Sequence, residues 1–214
     1  MADDSRPYRS AVREQRAAET RGRVLEAAAR CFVEHGWAGT TMTAIAREAG
    51  VSTKTVHDTG TKAFLLLEAF RVRYVGRGGW AAITDDPETA ALLEITDPRE
   101  ALAVAVDWLA TAHARSADLW FTLRATARFD PQLDAAYAEH LRLKTVTFRE
   151  TAEWLLRCGV VPAAAVDDEQ LDRFASLVAV AMGAETYVQL VHDHGYTDEQ
   201  YRAWLRRTIP ALRP

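Results

Sequence analysis

The sequence predicts an all-α protein of about nine helices: an N-terminal three-helix helix-turn-helix unit followed by a larger helical bundle. Three observations predict it. Ala, Leu, Arg and Glu abound, while the alternation of β-branched residues that marks strands is scarce. Helix start signals, a Ser, Thr or Asp ahead of an apolar periodic run, recur along the whole chain. Residues 40–67, TTMTAIAREAGVSTKTVHDTGTKAFLLL, read as a short amphipathic helix, a Gly-centred turn and a second short helix.

Taken in order, residues 1–16 are polar and Arg-rich (Arg6, Arg9, Arg13, Arg16) and are expected as a flexible basic arm. A first helix is expected over 17–35, with Val24, Ala28, Cys31 and Phe32 as its buried stripe and Gly36 as its left-handed end. The second covers 41–49, with Met42, Ile45, Ala46 and Ala49 on one face. Gly50 turns the chain, and Ser52 caps the third helix by accepting from the Thr55 backbone N–H. Thr61 caps a fourth helix to about residue 75, where Gly76, Gly78 and Gly79 break it. Its start, AFLLLEAF, is apolar nearly all round, as in a helix buried between two packed units.

Residues 80–96 are loosely patterned. Asp97-Pro98-Arg99-Glu100 is a start signal for a helix to about 115, and Ser116 is expected to cap another to about 127. Asp130-Pro131 starts a long helix ending near Cys158-Gly159. Asp167 or Asp168 opens a further long helix to His194-Gly195, and Thr197 with Gln200 forms a capping box for the last helix, to about 212. The expected domains are an arm (1–16), a head (17–60) and a body (61–214), with the helix from 61 to about 75 connecting head and body.

Composition narrows the function classes. Residues 1–80 hold 13 Lys+Arg against 9 Asp+Glu, and the rest of the chain is acidic. A basic head on an acidic body suits a polyanion partner for the head alone. The opening MADDSRPYRS lacks a secretory apolar core, and no uninterrupted run of about 18 apolar residues occurs, so a cytoplasmic location away from membranes is expected. Cys31 and Cys158 form neither a metal pattern nor a disulfide framework, and read as buried free thiols. His192-Asp193-His194 looks metal-like, but helical residues two apart diverge in direction, so a helix end is the reading. No phosphate-binding Gly loop, nucleophile elbow or His/Glu zinc pattern occurs. No catalytic residue, metal or cofactor is therefore expected.

A helix that reads DNA enters the major groove by its N-terminal end while its other face packs on a supporting helix. Ile45, Ala46, Val51 and Val56 supply that packing, and Thr53, Lys54 and Thr55 stand on the first turn of the third helix. Lys54 can donate to guanine O6/N7, and Thr methyls can touch thymine methyls. Thr41, Ser52 and Lys62 begin helices or caps, where hydroxyls and backbone N–H groups meet phosphates.

These residues together resemble the DNA-binding domain of the TetR family of transcriptional regulators. The resemblance covers residues 20–67 and rests on Phe32 and Gly36, Thr41, Ile45-Ala46, Ala49-Gly50-Val51-Ser52, Thr61-Lys62 and Leu65-Leu66. It implies phosphate contacts for Thr41 and Lys62 and places Thr43, Thr53, Lys54 and Thr55 near bases. His57 stands where the family has a phosphate-contacting Tyr. The His-Phe pair that usually follows is reduced to Asp58-Thr59-Gly60, one residue short and without the aromatic that anchors the recognition helix.

The resemblance also implies a homodimer on a double-stranded operator and a small-molecule effector pocket in the body. Candidate pocket residues are Trp108, Trp120, Phe121, Phe148 and Trp154, with His113, Arg124 and His140 as polar partners. Candidate dimer residues are Ala175, Ala179 and Gly183, recurring every four positions, and Tyr201, Trp204, Leu205 and Thr208 on the last helix. The expected function is that of a ligand-responsive regulator, a repressor rather than an enzyme. The alternative is a helical small-molecule binder or enzyme whose head no longer reads DNA.

Overall fold

A computed structural model describes residues 6–76 and 87–214, with side chains from 13–76 and 90–214. Its helices are α1 (Arg6–Gly39), α2 (Met42–Ala49), α3 (Thr53–Thr59), α4 (Lys62–Val75), α5 (Pro87–Leu92), α6 (Pro98–Thr126), α7 (Pro131–Arg157), α8 (Asp168–Ala181), α9 (Ala184–Tyr187) and α10 (Asp198–Thr208). Among the described residues there is no strand.

The start signals position these helices as expected. Thr41, Ser52 and Thr61 accept from the backbone N–H of Ala44, Thr55 and Phe64. Asp97 and Asp130 each take two backbone N–H groups ahead of a Pro at the helix start. Asp167 with Gln170 and Thr197 with Gln200 close full capping boxes. Each such cap contributes about 1 kcal/mol. Gly36 (φ 64°) breaks α1 ahead of its last residues, and Gly50 (φ 65°) ends α2; both are left-handed conformations that a side chain would disfavour.

Besides the short α5, which forms inside the loosely patterned stretch, three elements differ from expectation. Helix α1 starts at Arg6, so residues 6–16 extend a helix where an arm was expected. Pro7 sits in the first turn, where its missing N–H does no harm, and Ala, Arg, Glu and Gln follow without a breaker. Residues 1–5, and the side chains of Arg6 and Arg9, lie outside the described residues, as do Gly78, Gly79 and residues 80–86 of the loosely patterned stretch. Second, Ser116 caps nothing: α6 runs through it, and its buried hydroxyl donates back to the Ala112 carbonyl at 2.7 Å.

Third, the long helix expected over residues 168–194 breaks at Met182-Gly183, and continues as α9 and a π-helical turn over Val188–Asp193. The stretch Asp168–Asp193 is long and apolar enough to span a membrane by composition, but 44% of its apolar window is buried against the rest of the chain. Gly183 is needed at the break for space. A Cβ there would lie 2.5 Å from the Ala179 carbonyl oxygen and 2.8 Å from Glu185 Oε2. Gly183→Ala is therefore expected to force the backbone at the break to shift. We expect a loss of about 1–3 kcal/mol, measured as a drop in the urea midpoint; an unchanged midpoint would show that the break tolerates a side chain.

Two apolar cores organise the molecule. One holds α1, α2, α3 and α4 and extends to Leu119, Trp120, Leu123, Leu133 and Ala184. The other lies within the body, around Leu109, Trp154, Leu155, Phe174, Tyr201 and Leu205. Helix α4 is the element between them. Its Leu65, Leu66 and Leu67 are fully buried, and it packs on α1, α6 and α7. Ion pairs from α1 hold it: Arg21 to Glu68 at 3.1 Å and Glu26 to Arg73 at 2.5 Å. Cys31 and Cys158 are buried free thiols.

Candidate nucleic-acid interface and body cavity

Helix α3 presents its N-terminal turn outward because Val56 alone is fully buried on it, against the apolar face formed by Ile45, Ala46 and Ala49 of α2. Thr41, Thr43, Ser52, Lys54 and His57 are exposed, and Thr53 and Thr55 half-buried, so none of these sequence-predicted residues is buried in the head core. Two pairings preset the surface. The Ser52 and Thr55 hydroxyls lie 2.8 Å apart, and Lys54 Nζ lies 2.7 Å from Asp58 Oδ2, one helical turn on. Lys54 is 81% exposed, so this ion pair is weak and can be exchanged for another anion.

Lys62 is placed differently from what the resemblance implies. Its ammonium donates to the Trp37 carbonyl and lies 4.4 Å from the centre of the Trp37 ring. Burial lowers its pKa. It braces the start of α4 against the end of α1, and a phosphate contact would require it to leave that seat.

The missing anchor of α3 is supplied from the next helix. Phe64 lies against Gly60 so closely that a Cβ on Gly60 would be 2.2 Å from its Cδ1 atom. The ring packs on the head core and carries the Arg21 guanidinium at 5.4 Å. Sequence reasoning missed this because it sought an aromatic before the glycine rather than four residues after it. Also unanticipated, the extended α1 brings Arg13, Arg16 and Arg21 to a cleft beside Thr55, Asp58 and Thr59 of α3.

A cavity of about 120 Å³ lies in the body between α4, α6 and α7. Of the expected residues, Trp108, Trp120, His140, Phe148 and Trp154 line it. The other three do not. His113 is fully buried elsewhere, with Nδ1 3.0 Å from the Tyr201 hydroxyl. Phe121 is 61% exposed, and Arg124 is exposed and paired with Glu185 at 3.7 Å. Helix phase turns Phe121 away, one residue and about 100° on from Trp120, whereas Arg124 shares the Trp120 face one turn further along α6 and is taken up by Glu185.

The aromatic and polar side chains missed are Phe70, Arg71 and Tyr74 of α4, and Lys144, Thr147 and Thr151 of α7. Spacing could have found the last three, since with His140 they fall on one helical face. Lys144 sits over the Trp120 ring at 4.7 Å and bonds Glu185 at 3.1 and 3.2 Å. Burial, with Lys144 and Arg71 nearby, lowers the pKa of His140 to about 4, so it is neutral at pH 7.

The expected dimer residues do not form one surface. Tyr201 and Leu205 are 0% exposed within a single chain and belong to its core. Trp204 stacks on Tyr201, Ala175 is buried, and Gly183 sits at the helix break. Ala179 and Thr208 are half-buried. The apolar side chains that α8 does expose are Leu177 and Val180, at 49% and 70%.

Head and body together make a helix-turn-helix unit on a cavity-bearing helical body. Residues 24–59 match the model of the bacterial regulatory proteins, tetR family, which covers α2 and α3 and the second half of α1. The whole fold is similar to a candidate TetR-family regulator from Mesorhizobium loti (TM-score 0.64, 20% identity, covering 92% of this chain and 96% of that one). It is also similar to a candidate transcriptional regulator from Saccharomonospora viridis in complex with choline (TM-score 0.59, 24% identity, 89% and 95% covered). A third similar structure is a linker-substituted HlyIIR mutant protein (TM-score 0.55, 16% identity, 92% and 98% covered). No curated protein matches the sequence.

Proposed function

We propose that the chain is a cytoplasmic, non-enzymatic repressor that binds a palindromic operator as a homodimer and leaves it when a small molecule enters the body cavity. One observation carries this reading. Helix α4 touches both sites: its first turn holds Phe64 against Gly60 at the end of α3, and its last turns place Phe70, Arg71 and Tyr74 in the cavity wall. A ligand that moves those residues moves the seat of the recognition helix, and differential affinity for the two arrangements is all that such coupling requires. Residues 17–60 act as the reading head and 61–214 as the sensing and pairing body. Leu177 and Val180 of α8 are the apolar residues we assign to the partner contact, with Thr208 and Trp204 at its margin.

Thr53, Lys54 and Thr55 face the bases in this reading. Thr41, Thr43, Ser52 and His57 face phosphates or groove edges, and Arg13 and Arg16 add positive charge beside them. The test is a titration of the protein with its own upstream DNA at several salt concentrations. Saturable, sequence-selective, salt-sensitive binding is expected; weak binding blind to sequence would end the repressor reading and favour a helical binder that has lost DNA recognition.

Asp58 gives a sharper prediction. DNA must take Lys54 from it, so Asp58→Asn is expected to tighten binding several-fold at low salt, with less gain at high salt. Lys54→Ala should weaken binding and relax base preference, a loss of about 1–3 kcal/mol of discrimination. Fluorescence anisotropy with matched and scrambled duplexes checks both. If Asp58→Asn leaves affinity unchanged, Lys54 does not read the DNA.

A further inference from the structure

The polar groups of the cavity wall are mostly donors. Arg71 and Lys144 line it, and among the described residues no carboxylate does. Trp120 also lines it and is 2% exposed, yet its indole N–H has no hydrogen-bond partner, whereas the Trp154 N–H donates to the Ile95 carbonyl. The Thr151 hydroxyl is already committed to the Thr147 carbonyl. Two carboxylates lie just behind the wall, and each is shared. Glu68 pairs with Arg21 and acts on Arg71, and Glu185 pairs with both Lys144 and Arg124. The surroundings therefore hold four cations against two anions. Donor-rich, net positive walls take a ligand that only accepts.

The apolar part sets the size and shape. A dry cavity of about 150 Å³ holds benzene; at about 120 Å³ this one is of the same order, which limits its occupant to about one ring. Trp108, Trp120, Phe70 and Phe148 supply flat faces for it. A cation would have to compete for those faces, because the Lys144 ammonium already stands 4.7 Å from the Trp120 ring and 5.7 Å from that of Phe148. The choline carried by the Saccharomonospora viridis structure thus represents the opposite charge class from the one this wall suits.

We infer that the cavity binds a small aromatic monocarboxylate, its ring among the Trp and Phe faces and its carboxylate accepting from Lys144, Arg71 and the Trp120 indole N–H. This rests on reading the cavity as the effector site, and it sets the chemical class that site selects. The test is calorimetric titration of the full chain, without DNA, by phenylacetate, phenylacetamide, 2-phenylethylamine and choline, with tryptophan fluorescence as a second readout. Phenylacetate is expected to bind at least about tenfold more tightly than the other three. Lys144→Met should bring phenylacetate close to the amide, whereas Lys144→Arg should keep the preference. Arg71→Gln should narrow it independently, with far-UV circular dichroism checking that each variant folds.

Tighter binding of choline or of the amine would overturn the assignment. So would binding of none of the four at millimolar concentration, or a preference that survives in both Lys144→Met and Arg71→Gln. Because DNA is absent, the outcome is separable from the regulator reading. Selective phenylacetate binding that fails to release operator DNA would refute the effector role and leave the ligand class standing.

Discussion

Phe32→Ala is expected to abolish operator binding and to destabilise the chain by about 3–5 kcal/mol, the usual range for emptying a buried aromatic site. Phe32 is 0% exposed and stacks on Trp37, with ring centres 5.8 Å apart and planes 10° from parallel. Trp37 in turn offers its carbonyl and its ring to Lys62 at the start of α4. Removing the Phe32 ring leaves a cavity under the supporting helix and loosens the brace that positions α4. The body core around Phe174, Tyr201 and Leu205 is separate and should persist. Denaturant unfolding followed by far-UV circular dichroism, with a parallel DNA titration, measures both effects. Retention of full operator affinity would show that the Phe32–Trp37–Lys62 stack does not position the reading helix.

Lowering the pH from 7.5 to 5 is expected to remove about 4 kcal/mol of stability through two histidines, about 2 kcal/mol each. Burial, with Lys144 nearby, depresses His113 from its ordinary 6.5 to about 3, and His140 falls to about 4 by burial with Lys144 and Arg71. Both stay neutral in the folded chain at pH 5, while in the unfolded chain they protonate below about 6.5. The unfolded state then binds more protons, so stability rises with pH. The contribution of each histidine is fully present above 6.5 and is lost as the pH falls towards its folded value. His113 cannot easily accommodate the charge, because its Nε2 is buried without a partner and its Nδ1 faces the Tyr201 hydroxyl. Urea midpoints at pH 7.5, 6 and 5 test this, and His113→Gln with His140→Gln should flatten the slope. Equal stability at pH 5 and 7.5 would contradict the buried, neutral state of these rings.

Local signals in the sequence placed the caps well. Thr41, Ser52, Thr61, Asp97, Asp130, Asp167 and Thr197 each cap a helix, because a cap depends on residues only two or three positions apart. What needed the third dimension was less legible. Ser116 has the chemistry of a cap, and only its burial on α6 shows that it bonds backwards instead. The spacing of Ala175, Ala179 and Gly183 is that of a helix face, but the crowding at Gly183 that accompanies the break there comes from atoms of the folded chain. Five of the eight expected cavity residues line it, since aromatic residues on the inner faces of α6 and α7 converge. The contribution of α4 was not legible, because its nearly uniform apolar surface hides which residues meet the cavity and which meet the head. The core residues Tyr201 and Leu205 were read as a partner surface for the same reason: periodicity marks a buried face without saying what buries it.

The contact between Gly60 and Phe64 removes a joint from the machine. With the Phe64 ring of α4 packed on the glycine that ends α3, the proposed recognition helix and α4 share a contact through which they would move together. Under the proposed mechanism, motion at the cavity end would reach the DNA-facing turn of α3 through this contact. Under that mechanism, the coupling between the two sites would be tuned at Phe64, without altering any residue proposed to face DNA or ligand.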